Sequence, residues 1–258
     1  MIKIMEEKKN EVSGLSRREF ISGAGKIVAG AGIVSVVSLG GLNLLSKAES
    51  TETKGATNEV KWPWPYKKLD PDKIAQITYE NWYKDFCTYA VVSAIIGSLQ
   101  KEVGEPYTSF PVSSTRWGHG GAVGWGTLCG TLTGVGIVTG LIAGIKGEEI
   151  LNDVIAWYTQ TELPIFKPAT PKAEIKNVNK SDSPLCHISV GKWMKKEGVK
   201  FFTPERKERC ARLSADVAVK TVEFLNLWAD GKFVPVHFNQ AKMHQQTTQN
   251  NCMECHTK

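Results

Sequence analysis

Apolar residues recur every three or four positions along most of the chain, a spacing that predicts helices rather than strands. The first helix is predicted to start at Asp70-Pro71, where Asp can cap the helix and Pro fits its first turn. It runs to about Glu102 and is broken near Asp85. Its apolar stripe after Cys87 consists of Ala90, Val91, Ala94, Ile95 and Leu99.

The middle of the chain is rich in glycine. A loop is predicted over residues 104–121, and the apolar stretch at 120–145 predicts a buried core helix, packed closely on its neighbours or around a cofactor. This stretch is long enough to be mistaken for a membrane span, but its frequent Gly and Thr favour the core. An amphipathic helix is predicted at residues 147–160, and a surface connection at 161–182.

Two more helices are predicted to open at Ser183-Pro184 and Thr203-Pro204, by the same capping logic. The predicted fold class is therefore mainly α, a helical domain with a Gly-rich central helix. The apolar stripe of the last helix consists of Cys210, Leu213, Val217, Thr221, Phe224 and Trp228.

Composition is typical of a globular protein. The 258 residues are 41% hydrophobic and 22% charged, with a formal net charge of +6. Basic residues do not alternate with aromatic ones in a stripe, so the sequence gives no reason to expect nucleic acid as a partner.

The N-terminus predicts export. The segment Ser16-Arg17-Arg18-Glu19-Phe20-Ile21 has the pattern of a twin-arginine signal, and the small residues of Ser46-Lys47-Ala48 fit a cleavage site. We assign residues 1–48 to a signal segment and 49–69 to an extended lead-in, and expect a periplasmic or other extracytoplasmic protein. An ordinary signal or a membrane anchor is the alternative, and an uncleaved signal would allow membrane association.

The C-terminus carries a haem attachment signature. Cys252 and Cys255 are three positions apart, so their thiols can reach the two vinyl groups of haem, and His256 can bind the iron as proximal ligand. A CxxC redox pair or half of a zinc site is the alternative, but the following His favours haem c. Residues 231–258 are interpreted as an irregular haem-binding segment. Our candidates for the distal ligand are His244, then His237 and His119.

Four more cysteines, Cys87, Cys129, Cys186 and Cys210, are dispersed along the chain. Spacing alone leaves three possibilities open: two structural disulfides, an iron–sulfur cluster or a tetrahedral zinc site. Twin-arginine export carries folded proteins whose cofactors were inserted in the cytoplasm, whereas haem c is attached after export. The signal therefore favours a second cofactor, of the iron–sulfur kind.

The order of these elements resembles the split-Soret cytochrome c group, within the wider C_GCAxxG_C_C redox proteins. Those proteins share a dispersed Cys, a Cys-Gly-Ala-x-x-Gly-like element and then two single Cys. Here these are Cys87, the stretch 129–134 (CGTLTG), Cys186 and Cys210, within a match that covers about residues 70–258.

This resemblance implies that residues 70–230 form a helical domain whose four Cys hold a [2Fe–2S] or [4Fe–4S] cluster. It also implies a homodimer with c haem near the interface. Members can carry two haems per chain, whereas this sequence has one CxxCH motif. Stacked haems would then come from two subunits, and a distal ligand could cross the dimer.

The leading hypothesis is an electron-transfer protein that passes single electrons between redox partner proteins. A reductase acting at an open haem position is the second, although the sequence shows no catalytic triad or phosphate loop. A monohaem cytochrome with structural disulfides is the third. Analysis of iron and acid-labile sulfide separates the first from the third, and the haem spin state separates the first from the second.

Overall fold

The computed structural model describes residues 61–236, and within them the fold is mainly α, as predicted. This range contains no strand, only two isolated β-bridges. Short 3₁₀ helices cover Tyr107–Ser109, Val112–Gly118 and Gly144–Lys146. The five α-helices of residues 61–236 are α1 (Pro71–Glu102), α2 (Gly130–Ala143), α3 (Gly147–Gln160), α4 (Cys186–Glu197) and α5 (Pro204–Ala229).

Helix α1 begins and breaks where the sequence predicts. The Asp70 carboxylate accepts hydrogen bonds from two backbone N–H groups of the first turn, at 3.0 and 3.4 Å. The helical path is interrupted at Asp85 and Phe86, and Phe86 has a φ of +65°. The second half of α1 therefore has an N-terminus of its own, beginning at Cys87.

Helix α5 starts at its predicted cap and lies along α1. Thr203 Oγ1 accepts a backbone N–H of the first turn at 3.4 Å. The two helices run antiparallel, because Tyr79 donates to Glu208 near the start of α5 (2.8 Å), whereas Leu69 accepts from Asn226 near its end (2.9 Å). The predicted apolar stripe of α5 is confirmed: Cys210, Leu213, Val217 and Thr221 are buried, and Phe224 and Trp228 are partly buried.

The Gly-rich stretch is helical only from Gly130 onward, so the prediction of a helix over residues 120–145 is wrong for its first ten residues. These form a loop with its own backbone hydrogen bonds, such as Gly126 N–H to the Gly120 carbonyl at 2.9 Å. Left-handed φ angles exclude a helix here. They occur at Gly120 (+60°), Gly121 (+66°), Ala122 (+61°), Val123 (+42°), Gly124 (+90°) and Gly126 (+76°).

Helices α2 and α3 together, Gly130–Gln160, form the one stretch of the described residues that is long and apolar enough to cross a membrane by length and composition. The path turns at Gly144, which has a φ of +61°, and α3 packs back on α2. Most of the stretch is buried in the fold, and the predicted core position of the Gly-rich helix is confirmed for α2. Its fully buried side chains are Leu132, Val135, Val138 and Ile142.

Helix α4 begins at Cys186, two residues later than predicted. Ser183 Oγ accepts the N–H of Leu185 at 3.2 Å, so the predicted capping residue supports the turn before the helix instead. The preceding connection was predicted to lie on the surface, but Leu163 is 2% exposed and exchanges backbone hydrogen bonds with Asn179 at 3.0 and 3.1 Å. Part of the connection is therefore anchored in the core.

The buried residues form two clusters. The larger one fills the space between α1, α2, α3 and α5. The smaller one joins α1, α4 and α5 around Trp82, Cys87, Val190 and Cys210. Two of the dispersed cysteines thus belong to the smaller core.

Candidate metal centre

The four dispersed cysteines come from four separate parts of the fold. Cys87 opens the second half of α1, Cys129 is the N-cap of α2, Cys186 is the first residue of α4, and Cys210 lies near the start of α5. All four are free thiols, and all but Cys186 are buried. Three of them lie at helix N-termini, where the helix dipole favours a thiolate.

A short two-way backbone pairing holds Cys129 beside Cys186. The N–H of Cys129 donates to the carbonyl of Pro184 at 2.9 Å, and the N–H of Cys186 donates to the carbonyl of Thr127 at 2.7 Å. An isolated antiparallel β-bridge lies between these bonds. The two cysteines are 57 positions apart in the numbering, yet their backbones are fixed to each other.

Two glycines of the CGTLTG stretch bring α2 onto α1 next to Cys87. A methyl group at Gly130 would lie 2.1 Å from a backbone oxygen and 2.7 Å from Cys87 Cβ. A methyl group at Gly134 would lie 2.9 Å from Val91 Cβ. No side chain fits at these distances in a close-packed interior. The glycines therefore allow Cys129, which precedes Gly130, to approach Cys87.

The thiols lie near enough to one another to interact electrostatically. Burial, followed by the charges of Cys129 and Cys210, raises the pKa of Cys87 to about 12. Burial also raises the pKa of Cys186, with further contributions from the other three sulfurs. Thiols that resist ionisation in this way become thiolates when a metal cation binds them.

A cavity of about 460 Å³, which we call the thiol cavity, is lined by three of the four cysteines, Cys87, Cys186 and Cys210. Among residues 61–236, no three His, Cys, Asp or Glu side chains are placed to share a single metal ion. The sulfurs nevertheless lie near enough to raise each other's pKa. Together, the two observations are compatible with sulfurs arranged around a space larger than a single metal ion. The lining includes Trp82, Cys87, His119, Cys186, His187 and Cys210.

Buried polar side chains that sequence reasoning missed lie behind the thiols. The Tyr158 hydroxyl donates to Ser189 Oγ at 2.7 Å, and Arg209 donates to the same oxygen at 2.9 Å. Another guanidinium nitrogen of Arg209 lies 4.0 Å from Cys210 Sγ. Burial, and then the charge of Cys129, raises the pKa of Tyr158. The sequence signal that could have revealed these side chains is Arg209, which directly precedes Cys210 on the apolar stripe of α5.

Two of the five histidines lie in the described part of the chain, and both line the thiol cavity. The His119 ring lies 5.7 Å from the ring of Phe86, and His187 Nδ1 lies 3.1 Å from the carbonyl of Gly126. Apart from His119, which is the third candidate distal ligand, the residues predicted to bind haem lie outside residues 61–236. These are Cys252, Cys255 and His256, with His244 and His237 as candidate distal ligands.

The donor set fits an iron–sulfur cluster. Cysteine thiolates are the usual ligands of such clusters, and N–H groups commonly donate to their sulfurs. Within the described range, the two buried side-chain nitrogens that have no acceptor belong to Trp82 and Arg209, and both lie beside the cysteines. The site thus combines soft ligands with spare donors for an anionic group.

Comparison with known proteins places these features in context. Residues 86–224, which include all four cysteines, match the family "Putative redox-active protein (C_GCAxxG_C_C)". The chain is 34% identical over 251 residues to the split-Soret cytochrome c of Desulfovibrio desulfuricans (strain ATCC 27774 / DSM 6949 / MB), across 94% of this chain and 87% of that protein.

A similar fold is found in a solved structure described as "A novel iron centre in the split-Soret cytochrome c from Desulfovibrio desulfuricans ATCC 27774". The TM-score is 0.65 at 35% sequence identity. The match covers 76% of this chain and 82% of that chain. The likeness therefore extends beyond the local cysteine pattern to most of both folds.

Proposed function

Because the chain belongs to the split-Soret cytochrome c family, we propose that it is an exported electron-transfer protein with two redox groups. The first is a c-type haem bound through Cys252 and Cys255, with His256 as proximal ligand. The second is an iron–sulfur centre held by the four dispersed cysteines. When bound, the two groups supply storage and release of single electrons.

One observation supports the second group: four free thiols from four separate segments lie near enough to interact electrostatically, and three of them, Cys87, Cys186 and Cys210, line one cavity. Soft thiolate ligands favour iron–sulfur clusters or zinc over hard cations. The solved relative, the split-Soret cytochrome c of Desulfovibrio desulfuricans, is described as having an iron centre. This likeness favours iron over zinc for the present chain.

The chain's own residues would hold the centre in place and keep water away from it. The backbone pairing fixes Cys129 and Cys186, and the glycine contacts fix Cys129 against Cys87. Trp82, which is 1% exposed, and Val190, which is 6% exposed, line the thiol cavity. Such apolar walls lower the local dielectric and so influence the reduction potential.

The finer parts of the proposal rest on the sequence. The twin-arginine pattern supports export to the periplasm with the iron–sulfur centre already inserted, and an uncleaved signal would add membrane association. We further propose a homodimer in which haems from two subunits meet, with His244 as distal ligand. Other redox proteins would be the electron donor and acceptor.

The test is a paired metal analysis of purified, full-length protein and two variants. Haem, non-haem iron and acid-labile sulfide are measured for the wild type, Cys129→Ser and Cys252→Ser. We expect the wild type to contain all three. Cys129→Ser should lose non-haem iron and sulfide but keep haem, because only the cluster loses a ligand. Cys252→Ser should lose a covalent bond to haem and keep the cluster.

Each half of the proposal can fail separately. Wild-type protein with haem but no sulfide contradicts the iron–sulfur centre, and bound zinc would identify the alternative tetrahedral site. Wild-type protein without covalent haem contradicts the cytochrome. Loss of both groups from either variant would mean that folding, rather than ligation, had been changed, and circular dichroism spectra distinguish that case.

A further inference from the structure

Two buried N–H groups beside the cysteines have no hydrogen-bond acceptor among residues 61–236. They are the indole Nε1 of Trp82 and the guanidinium Nε of Arg209, and each side chain is 1% exposed. Burying a donor without an acceptor is unfavourable, because the donor loses its hydrogen bond to water. Two such costs at one site point to acceptors that a bound group supplies.

Trp82 lies beside Cys87. Both side chains belong to the smaller buried cluster and line the thiol cavity. The indole N–H makes no hydrogen bond of normal geometry within residues 61–236. A centre bound at Cys87 would place sulfur acceptors next to this donor.

Arg209 brings a permanent positive charge to the site, next to Cys210. Its guanidinium donates to Ser189 Oγ and lies 4.0 Å from Cys210 Sγ. A buried cation is costly unless an anion lies close to it. Cys210 would be such an anion once it binds the centre as a thiolate, 4.0 Å from this guanidinium.

One carboxyl group, that of Asp216, also interacts electrostatically with Arg209. The charge of Arg209 lowers the pKa of Asp216, but the two oxygens of Asp216 accept the backbone N–H groups of Ile165 and Phe166, each at 2.8 Å. Both oxygens of Asp216 therefore already have backbone donors, whereas Nε of Arg209 has no acceptor among residues 61–236.

We propose that Trp82 and Arg209 are positioning residues that raise the reduction potential of the four-cysteine centre by stabilising its negative charge. Reduction adds an electron to the centre. A fixed cation and N–H donors stabilise the reduced form more than the oxidised form, which raises the potential. This inference rests on the proposed function, because it requires an iron centre at the four cysteines.

The experiment is a potentiometric titration of the full-length protein with mediator dyes, in which the centre is followed by electron paramagnetic resonance. The variants are Trp82→Phe, Arg209→Gln and Arg209→Lys. We expect Trp82→Phe and Arg209→Gln to shift the potential of the centre to lower values. Arg209→Lys keeps the charge and should shift it less than Arg209→Gln.

Two matched controls remove the same chemical groups elsewhere. Trp193 is fully buried, and its indole N–H donates to the carbonyl of Asn177 at 2.7 Å, so Trp193→Phe removes an indole N–H that is already satisfied. Arg212 lies on the same helix as Arg209 but pairs with Glu208 at 2.6 Å. Trp193→Phe and Arg212→Gln should leave the potential close to that of the wild type.

The outcomes separate this inference from the proposed function. Wild-type protein without non-haem iron contradicts the proposed function, and the inference falls with it. Iron at wild-type levels with unchanged potentials in Trp82→Phe and Arg209→Gln overturns the inference alone. Equal shifts in the controls and the variants also overturn it. If Arg209→Gln does not retain iron, the inference is decided by comparing the reduction potentials of Trp82→Phe and Trp193→Phe.

Discussion

Asp216 is a single buried carboxyl group that is hydrogen-bonded to the backbone. It links α5 to the connection after α3 through the N–H groups of Ile165 and Phe166. Burial raises its pKa from 3.8 to about 7, although these bonds and the nearby arginines Arg209 and Arg212 lower it. In the folded protein the carboxyl therefore holds its proton at mildly acidic pH, where the unfolded chain would have lost it.

We predict that this carboxyl makes the free energy of unfolding fall as pH rises. Its folded pKa lies above the unfolded value, so its contribution is complete below about pH 3.8 and is lost as pH rises to about 7. One such group gives a slope of at most about 1.4 kcal/mol per pH unit. Denaturant titrations between these pH values should show a shallower fall for Asp216→Asn.

The control for this prediction is Asp230→Asn. Asp230 lies at the end of α5 and accepts a hydrogen bond from Lys68 Nζ, which lowers the pKa of its carboxyl. Its contribution to the free energy of unfolding is therefore lost toward low pH rather than high pH. This variant should keep the fall seen in the wild type. Identical slopes for Asp216→Asn and the wild type would show that the carboxyl is ionised in the folded protein throughout this range.

Neither Asp216 nor Arg209 could be assigned a role from the sequence. Both lie on α5 among apolar residues, but their partners come from Ile165, Phe166 and Ser189, which are distant in the chain. The four cysteines were predicted as a set because their order resembles a family pattern. The predicted helix at Ser183-Pro184 already placed Cys186 in a first turn, whereas the N-terminal positions of Cys87 and Cys129 became visible only with the helix boundaries.

At the scale of secondary-structure elements, the contact between α1 and α2 positions the site. The Thr88 hydroxyl, next to Cys87, lies 2.9 Å from the carbonyl of Gly118 and 2.7 Å from that of Gly130. It therefore links α1 both to the 3₁₀ helix before the Gly-rich loop and to the first residue of α2. The small size of Gly130 lets this contact form.

We predict that Gly130→Ala reduces non-haem iron content and destabilises the protein. The added methyl group would meet a backbone oxygen at 2.1 Å and Cys87 Cβ at 2.7 Å, so α2 must move away from α1 and take Cys129 with it. Overpacking of a core typically costs about 1–3 kcal/mol. Iron analysis and denaturant unfolding of the purified variant measure the two effects.

Gly97→Ala is the matched control. Gly97 lies in the interior of α1, and a methyl group there would meet no atom within 4 Å. Alanine is favoured over glycine in a helix by about 1 kcal/mol, so this variant should be slightly more stable and keep its iron. Normal iron content in Gly130→Ala would contradict the assigned role of the glycine.

Whether the start of a helix could be predicted depends on how far apart in the sequence the interacting residues are that fix it. The caps at Asp70 and Thr203 were predictable because they depend on adjacent residues. The start of α2 was not, because composition does not reveal the sign of φ at Gly120 or Gly126. The start of α4 was also missed, since Leu185 is held by a backbone pairing with the loop before α2.

At the scale of the whole molecule, the proposed centre would cross-link segments that lie far apart in the chain. Its ligands extend from Cys87 in α1 to Cys210 in α5. Closing long loops in this way restricts the unfolded chain more than the folded one. Metal binding that requires the folded arrangement also adds its binding free energy to folding.

We predict that removal of non-haem iron lowers the melting temperature. For a domain of this size, each kcal/mol of lost stability lowers it by about 2–4 °C. Calorimetry before and after treatment with an iron chelator measures the shift. Cys210→Ser, which lacks one ligand, should melt near the temperature of the treated wild type and respond little to the chelator. An unchanged melting temperature after complete iron removal would contradict this cross-link.

The position of Cys210 on α5, the last helix within residues 61–236, has a consequence for how the protein is made. The ribosome synthesises Cys87, Cys129 and Cys186 first, but the fourth ligand emerges only with α5, after most of the chain. A cluster that needs all four thiolates cannot be completed on a shorter nascent chain. We therefore expect assembly to follow translation of the helical domain and, if the twin-arginine pattern is functional, to precede transport. Truncation of the gene before α5 would then yield a product that no cluster-assembly system can complete.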